Sequence, residues 1–297
     1  MFNFQLYIIM IILLIIDGVL ADYLKDKSLH NFQYMFKNSA WSLNMKISYP
    51  SITEPSISAI LHGVDALFLE CYYDNVRKYC QYDDYPEDAV SIFKALQPLK
   101  TAVVGTWLGL TRELVNPKDI TEDFSWKSTR LDAGVIEKAG AIIQSGEFKF
   151  LLVYLEDPDH VGHESGVTQP YKDSLKAVDE KLGVLLKLIA PSDYLFIVSD
   201  HGRSVKSYTK GKSHHVFSEE TNRVPFFAKG PNIKIGQIKN NYIHSTDIAP
   251  TILHLLHKKI PNSMRGRPLK DLFTNYYQKY VKYKSKYLTT KLKTRSN

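Results

Sequence analysis

The sequence predicts an α/β protein with a mostly parallel central sheet and helices on both faces. Five short apolar segments are predicted to be buried strands, and segments with helical spacing lie between them. Strands that alternate with helices are typical of a parallel sheet covered on both sides. The composition agrees, because 44% of the 297 residues are hydrophobic and 23% are charged, as in an ordinary packed protein. Disordered and fibrous classes are therefore excluded.

The elements follow one another without a linker. The clearest helix covers residues 171–189, where Leu and Val recur every three or four positions. Another helix starts near residues 246–247 and tolerates Pro250 in its first turn. No Gly/Ser-rich or Pro-rich stretch divides the chain, so we expect one domain over residues 1–272 and a basic Tyr/Lys-rich tail at 273–297. The predicted strands are residues 11–16, 100–107, 149–155, 194–199 and 224–228.

The first apolar segment has two interpretations that exclude each other. Residues 7–16 form an apolar run of the length found in signal peptides, and residues 19–21 fit a cleavage site, although no basic residue precedes the run. The alternative is a buried first strand at residues 11–16 that ends at Asp17. Cleavage after Ala21 would remove Asp17, so the choice decides whether that carboxylate is present in the mature protein.

The net charge of +7 comes from the C-terminus. Seven Lys and Arg residues and no acidic residue lie at 275–297, so the rest of the chain is neutral. Like-charged termini are most often solvated. We therefore expect no specific nucleic-acid binding and leave membrane contact through the tail open.

The two cysteines bear on the compartment. Cys71 and Cys80 leave a local disulfide and two buried thiols as alternatives, and they are a poor basis for a zinc site. A disulfide requires an oxidising compartment. Together with the signal-peptide interpretation, this leads us to expect a secreted or lumenal protein.

Acidic residues follow three of the predicted strands. Asp17 follows the first strand, residues 156–159 (EDPD) follow the third, and Asp200 with His201 follows the fourth. Because the carboxyl ends of parallel strands meet at one edge of a sheet, these side chains should converge there. Grouped carboxylates repel one another, and a bound cation would compensate them. We interpret Glu156 and Asp157 as supporting or solvated groups rather than ligands.

Histidines accompany these carboxylates at ligand spacing. Asp159 and His163 are four residues apart and can reach one ion. Asp200 and His201 are adjacent, and His214 follows about a dozen residues later. Oxygen and nitrogen ligands without cysteine suit zinc, and less specifically manganese or iron. Each pair alone is a weak signal, but together they predict a metal centre.

The metal-binding motifs belong to an ordered series of short motifs. The series comprises residues 16–18 (IDG), 21–24 (ADYL), 49–56 (YPSITEPS), 158–163 (PDHVGH), 199–202 (SDHG) and 211–214 (GKSH), followed by 224–231 and 247–251. In order and spacing it resembles the type I phosphodiesterase/nucleotide pyrophosphatase branch of the alkaline phosphatase superfamily. The likeness covers roughly residues 11–272, and it implies an alkaline-phosphatase-like fold.

The resemblance implies two zinc ions, although other divalent metals would also serve. The implied ligands are Asp159, His163 and His214 for one ion, and Asp17, Asp200, His201 and the Thr53 oxygen for the other. His215 stands where the family usually has glycine, so either of the two neighbouring histidines could bind. We choose His214.

The resemblance also implies that Thr53 is the nucleophile. A threonine hydroxyl is a poor nucleophile at neutral pH unless a base or a metal lowers its pKa. Two metal ions can bind a phosphoryl oxygen, activate the nucleophile and stabilise the leaving oxygen. The implied function is a phosphoric ester hydrolase, foremost a phosphodiesterase, that forms a phospho-threonine intermediate. Without the flanking motifs, we would interpret Thr53 as a turn residue before Pro55.

Two positions beside Thr53 depart from the family pattern and bear on the substrate. Glu54 stands where nucleotide-cleaving members tend to have an aromatic residue, and Ser56 where they tend to have an asparagine that donates to the phosphate. We interpret both as candidate substrate-binding residues for a small phosphate ester, either a nucleotide or a phospholipid head group. A carboxylate beside the nucleophile would repel a highly charged phosphate and favour a cationic head group.

Other functions of the same fold are disfavoured. Sulfatases need a Cys or Ser nucleophile motif that ends in Arg, which is not present around Thr53. Phosphoglycerate mutases carry an inserted domain for which this chain has little room. The main alternative is a secreted, catalytically weak or inactive metal-binding member that acts as a binding protein, its first motif lost with a signal peptide.

Overall fold

The computed structural model describes residues 9–73, 78–128, 132–206, 210–238 and 242–274. The strands in these ranges are β1 (Ile11–Ile16), β2 (Ala40–Lys46), β3 (Tyr72–Tyr73), β4 (Lys78–Tyr79), β5 (Thr101–Val104), β6 (Glu122–Asp123), β7 (Phe150–Leu155), β8 (Tyr194–Ser199), β9 (Arg223–Lys229) and β10 (Gly236–Gln237). The α-helices are α1 (His30–Asn38), α2 (Thr53–His62), α3 (Ile92–Leu96), α4 (Gly109–Arg112), α5 (Val135–Ser145), α6 (Asp157–Ser165), α7 (Gln169–Leu188), α8 (Glu219–Asn222) and α9 (Ile248–Leu255).

The central sheet is mixed but mainly parallel. Its strand order is β10-β2-β9-β8-β1-β7-β5-β6, while β3 and β4 form a separate hairpin. Within the described part of the chain, β9 runs antiparallel to both of its neighbours, and the other pairings in this sheet are parallel. Apolar clusters lie on both faces of the sheet. The prediction of an α/β fold with a mostly parallel sheet is therefore confirmed.

The segment with two interpretations is the central strand β1. All six of its residues pair with β7 on one side and with β8 on the other, and none is more than 1% exposed. Ile11, Leu13 and Ile15 face one apolar cluster, and the alternate residues face the other. Burial on both faces explains why the strand is an unbroken apolar run. Residues 1–8 lie outside the described residues.

The predicted elements differ from the observed ones mainly at their ends. The strand predicted at 100–107 is shorter in the structure, whereas the one predicted at 224–228 is longer by one residue at each end. The helix predicted at 171–189 is α7, and the helix predicted near 246–247 is α9, after a short 3₁₀ turn. In the described ranges no helix combines the length and apolar character needed to cross a bilayer.

The sequence around Thr53, taken alone, suggests a turn, but in the structure Thr53 lies in a helix. It is the first residue of α2, and Pro55 is tolerated in the first helical turn. The basic tail lies outside the described residues from position 275 onward, so the division of the chain at 272 stays a prediction.

Candidate metal centre

Two neighbouring strands lead directly into buried candidate ligands. Asp17 follows β1, and Asp200 and His201 follow β8, so the three side chains meet at the carboxyl edge of the sheet. The backbone N–H groups of Gly18 and His201 donate to Asp200 Oδ1 at 3.2 and 2.8 Å. In contrast, Asp17 Oδ1 and Asp200 Oδ2 are buried and accept no hydrogen bond from the described residues. Two such oxygens are costly unless a cation or proton compensates them.

His201 directs its Nε2 atom toward these two oxygens. Its Nδ1 atom lies 3.0 Å from the Gly202 carbonyl oxygen and donates to it, which leaves Nε2 as the ligand. Nε2 lies 3.3 Å from Asp17 Oδ1, 3.5 Å from Asp200 Oδ2 and 3.2 Å from Thr53 Oγ1. Ligand atoms around tetrahedral zinc, with bonds of about 2.0–2.1 Å, lie about 3.3 Å apart. The four atoms therefore fit one metal ion, and we call them the inner site.

A second group of ligands lies on α6 and on a loop. Asp159 and His163 are one turn apart on α6, and His163 Nε2 lies 3.1 Å from Asp159 Oδ2. His214 Nε2 lies 3.1 Å from His163 Nε2 and 3.8 Å from Asp159 Oδ1. The two distances to Asp159 involve different oxygens, and ligand atoms of Asp159, His214 and His201 lie within 4.8 Å of one another, so His201 borders both groups. We call Asp159, His163 and His214 the outer site, because His163 is exposed while Asp159 and His214 are buried.

The two sites are in contact. The rings of His201 and His214 stack with their centroids 3.7 Å apart. Gly18, at the end of β1, has a φ of +68°, and a Cβ atom there would lie 2.7 Å from Asp159 Oδ1. Glycine therefore allows the end of β1 to approach α6 closely. The structure thus brings all seven predicted ligands to one place.

The choice between two adjacent histidines has a structural basis. Two hydrogen bonds of 2.6 Å join His214 to Ser51: the Ser51 hydroxyl donates to the His214 carbonyl, and His214 Nδ1 donates to the Ser51 carbonyl. They fix the loop of His214 to the segment that leads into Thr53. His215 is exposed instead, with its ring centroid 4.4 Å from that of His214.

Burial and mutual repulsion shape the inner site. Burial first, and then the charges of Asp200 and Asp159, raise the pKa of Asp17 well above its usual value. Burial also raises the pKa of Asp200. A raised pKa means that two adjacent buried carboxylates tend to bind protons when no cation is near. A metal ion would displace those protons.

The outer site has the opposite electrostatic character. Burial acts to raise the pKa of Asp159, but the hydrogen bond from His163 and the charges of His201 and Arg203 outweigh it, so this pKa is lowered. Burial, followed by the charge of His201, lowers the pKa of His214. A carboxylate and a neutral imidazole are the forms in which these side chains bind metals.

Four residues that the sequence did not single out hold the ligands in place. The Tyr154 hydroxyl donates to Asp17 Oδ2. Asp132 accepts hydrogen bonds from the backbone N–H groups of Glu156 and Asp157 at 2.8 and 3.3 Å, and so caps α6. Burial, followed by the charge of Asp157, raises the pKa of Asp132 to about 7. Lys181 lies 2.9 Å from Asp157 Oδ2 and neutralises part of this cluster.

The fourth residue is Arg203, whose side chain is completely buried. Its Nη2 contacts Asp159 Oδ1 and donates to the Asp159 carbonyl at 2.8 Å, and its Nη1 donates to the Lys212 carbonyl at 2.9 Å. A Cβ atom at position 162 would lie 2.2 Å from Arg203 Nε, so Gly162 makes room for the guanidinium. This glycine is the signal in the sequence for a close approach.

The predicted substrate-binding residues lie at the start of α2. Glu54 is half-buried, and Ser56 is completely buried with its Oγ 3.5 Å from the Pro50 carbonyl oxygen. Their roles stay predictions. The exposed rings of Tyr49 and Phe217 pack with centroids 5.7 Å apart and lie close in sequence to Thr53 and His214, respectively.

Family models match most of the chain. The model of the metalloenzyme superfamily matches residues 100–260, and the model of type I phosphodiesterase / nucleotide pyrophosphatase matches residues 11–66. The first match contains the outer site together with Asp200 and His201, and the second contains Asp17 and Thr53.

Curated relatives include 2,3-bisphosphoglycerate-independent phosphoglycerate mutases. The protein from Clostridium tetani is 34% identical over 130 residues, which cover 43% of this chain and 25% of the mutase. The protein from Wolbachia pipientis is 31% identical over 163 residues, which cover 54% of this chain and 30% of the mutase. The chain thus spans about a quarter to a third of the length of these relatives.

Solved structures resemble the whole fold. Murine ectonucleotide pyrophosphatase / phosphodiesterase 5 aligns with a TM-score of 0.71 at 16% identity, over 89% of this chain and 100% of that chain. A putative sulfatase from Bacteroides thetaiotaomicron aligns with a TM-score of 0.69 at 13% identity, over 88% and 73% of the two chains. Because the family model that matches residues 100–260 covers more than half of the chain, the protein belongs to the metalloenzyme superfamily.

Proposed function

We propose that the protein is a di-zinc phosphoric ester hydrolase that acts on phosphodiesters with Thr53 as its nucleophile. The observation that carries this proposal is the inner site, where Asp17, Asp200 and Thr53 each place an oxygen 3.2–3.5 Å from His201 Nε2. The residues present fit a metal ion, because two of these oxygens are buried without a hydrogen bond from any described residue. Zinc suits the mixed oxygen and nitrogen ligands of both sites.

The chain would position both metal ions. Asp17, Asp200, His201 and Thr53 would hold one ion, and the outer site would hold the other. When bound, the ions supply positive charge that lowers the pKa of a coordinated hydroxyl and stabilises developing negative charge on the phosphate and leaving oxygens.

Thr53 supplies the attacking atom. Its Oγ1 lies at the first residue of α2, where the N-terminal end of the helix favours negative charge. The Thr53 hydroxyl gives up its proton, Oγ1 attacks phosphorus as the bond to the leaving oxygen breaks, and that oxygen takes up a proton and departs as the alcohol. Water then hydrolyses the phospho-threonine ester: its oxygen stays on the phosphate, and a proton returns to Oγ1 and restores the hydroxyl. His214 would hold the outer ion through Nε2, because its Nδ1 donates to the Ser51 carbonyl oxygen.

We propose a small phosphate ester as the substrate, in agreement with a similar solved structure, an inactive variant of the murine phosphodiesterase in complex with AMP. The Glu54 carboxylate beside Thr53 favours a cationic head group over a nucleotide with further phosphates. The basic tail, and any membrane contact through it, lies outside the described residues.

The test measures hydrolysis of a nitrophenyl phosphodiester with a metal-content assay on the same sample. We expect activity that chelation abolishes and zinc restores. Thr53→Ala should remove it while retaining two metal ions, and Thr53→Ser, which keeps a hydroxyl, should retain part of it. Full activity in Thr53→Ala would contradict the assignment of Thr53 as the nucleophile. Two bound ions with no hydrolysis of any ester would favour the binding-protein alternative.

The same assay addresses the substrate. A choline phosphodiester and a nucleotide diester are compared in the native protein and in Glu54→Gln. We expect the native protein to prefer the choline ester and Glu54→Gln to lose that preference. A nucleotide preference in the native protein would contradict the role of Glu54.

We also propose that residues 11–21 remain in the active protein and that it works in a lumenal or extracellular compartment. Cleavage after Ala21 would remove β1 and Asp17 together, and the disulfide between Cys71 and Cys80 fits an oxidising compartment. Mass spectrometry of the protein from its native source tests this proposal. A mature chain that begins at Asp22 would contradict it.

A further inference from the structure

The two metal sites differ in the charge that the protein itself supplies. The inner site combines two buried carboxylates, Asp17 and Asp200, and among the described residues neither lies at ion-pair distance from a Lys or Arg. The outer site has one carboxylate, Asp159, which already contacts the guanidinium of Arg203. In the ionised forms that bind a metal, and with neutral histidines, the carboxylates give the inner site a charge of about −2, whereas Arg203 brings the outer site to about zero.

Arg203 is built into the outer site as a fixed cation. Its guanidinium is completely buried, and the two backbone carbonyls that it contacts, together with the space left by Gly162, hold it against Asp159. Burying an arginine is unfavourable unless the guanidinium is paired, so the Asp159 carboxylate determines where it lies. The contact occupies Asp159 Oδ1, and His163 faces the other oxygen, Oδ2.

A fixed cation lowers the affinity of this site for a second cation. A metal ion and a guanidinium that share one carboxylate lie within about 5 Å of each other, and repulsion between a divalent ion and a unit charge at that distance weakens binding by about tenfold even at the dielectric constant of water. Exposure of His163 adds to the difference, because water competes for an exposed ligand.

We propose that Arg203 makes the outer site a weak, exchangeable metal site, so that the protein holds one divalent ion tightly in the inner site and recruits the second at higher metal concentration. Arg203 is here a positioning and charge-balancing residue, and it touches no substrate. The inference rests on the proposed pair of metal sites. It adds that occupancy of the outer site limits activity when free zinc is scarce.

The experiment titrates zinc into the chelator-treated full-length protein and follows binding by calorimetry. We expect one tight and one weak site in the native protein, with affinities at least about tenfold apart. Arg203→Met keeps a long side chain without the charge, and it should tighten the weak site by about tenfold and leave the tight site unchanged. Asp159→Asn should remove the weak site alone.

Controls separate charge from packing. Arg203→Lys keeps the charge and should keep the weak site weak, and Arg112→Met removes an exposed arginine and should change neither site. If Arg203→Met does not fold, the inference is still tested by three measurements. These are the two zinc affinities of the native protein, the loss of the weak site in Asp159→Asn, and the weak site kept by Arg203→Lys. Equal native affinities, or a weaker outer site in Arg203→Met, would overturn the inference without affecting the proposed hydrolase. A protein that binds no zinc would overturn both.

Discussion

The ligands at the ends of strands and those on helices and loops differ in how firmly the fold holds them. Asp17, Asp200 and His201 follow strands that pair along their whole length and are buried in the middle of the sheet. His163 is on α6, a helix of nine residues, and its side chain is exposed. The sheet therefore fixes the inner site, whereas the outer site depends on the contacts of α6 and the His214 loop.

The largest expected effect is at a strand-end ligand. Asp200→Asn removes a buried negative charge at which two backbone N–H groups are directed. Losing a group that merely supports a metal ligand typically costs about 10- to 100-fold in metal affinity, so loss of the ligand itself should cost more than about 100-fold. Zinc titration and ester hydrolysis measure this effect. If Asp200→Asn bound zinc with the native affinity, ligands at strand ends would not be more firmly required than those on helices and loops.

A smaller effect is expected at the exposed ligand. His163→Ala leaves room for water to take the vacated position, so zinc affinity should fall by less than the roughly 100-fold expected for a buried ligand, and only at the weaker site. Excess zinc should then restore most of the activity, which is measured as hydrolysis rate against zinc concentration. His160→Ala, a change at an exposed histidine three residues earlier on α6, is the matched control and should leave the zinc dependence unchanged. Failure of excess zinc to rescue His163→Ala would show that this ligand is as firmly required as Asp200.

The smallest expected effect concerns the helix that carries Thr53. α2 begins at Thr53 and ends at His62, where burial lowers the pKa of the imidazole to about 4. The unfolded chain binds a proton near pH 6.5 and the folded chain does not, so the free energy of unfolding falls as the pH drops from 6.5 toward 4. Between about pH 6.5 and 5.5 the loss should be about 1 kcal/mol.

Chemical denaturation of the native protein and of His62→Gln measures this difference. Glutamine does not titrate and can still donate to the Ser58 carbonyl that His62 Nδ1 contacts at 3.0 Å. The variant should therefore lose less stability than the native protein over the same interval. Parallel pH profiles would mean that His62 does not contribute to the acid sensitivity of α2.

The sequence was most informative where strands end. Asp17 and Asp200 follow apolar runs, and the edge of a parallel sheet necessarily brings such residues together. The family resemblance added Thr53, whose place at the start of α2 no local pattern predicts, because a Thr-x-Pro sequence also suits a turn. It also added the grouping of the ligands into two sites.

Supporting residues were harder to find, for physical reasons. Tyr154 lies inside the apolar strand β7, where its ring looks like core packing and its hydroxyl gives no separate signal. Asp132 caps α6 from a position 25 residues before Asp157, and Arg203 depends on space left by Gly162. Each acts through tertiary contacts, which neither periodicity nor composition encodes. The antiparallel pairing of β2 with β9 was missed for the same reason.

The central position of β1 has a consequence for how the chain assembles. Ile11 pairs with Phe150 on one side and with Tyr194 on the other, so the middle of the sheet forms only from segments far apart in the chain. During synthesis, β1 can pair with both β7 and β8 only after about 180 further residues have left the ribosome. Such distant pairing slows folding and leaves an apolar segment exposed to aggregation until both neighbouring strands have formed.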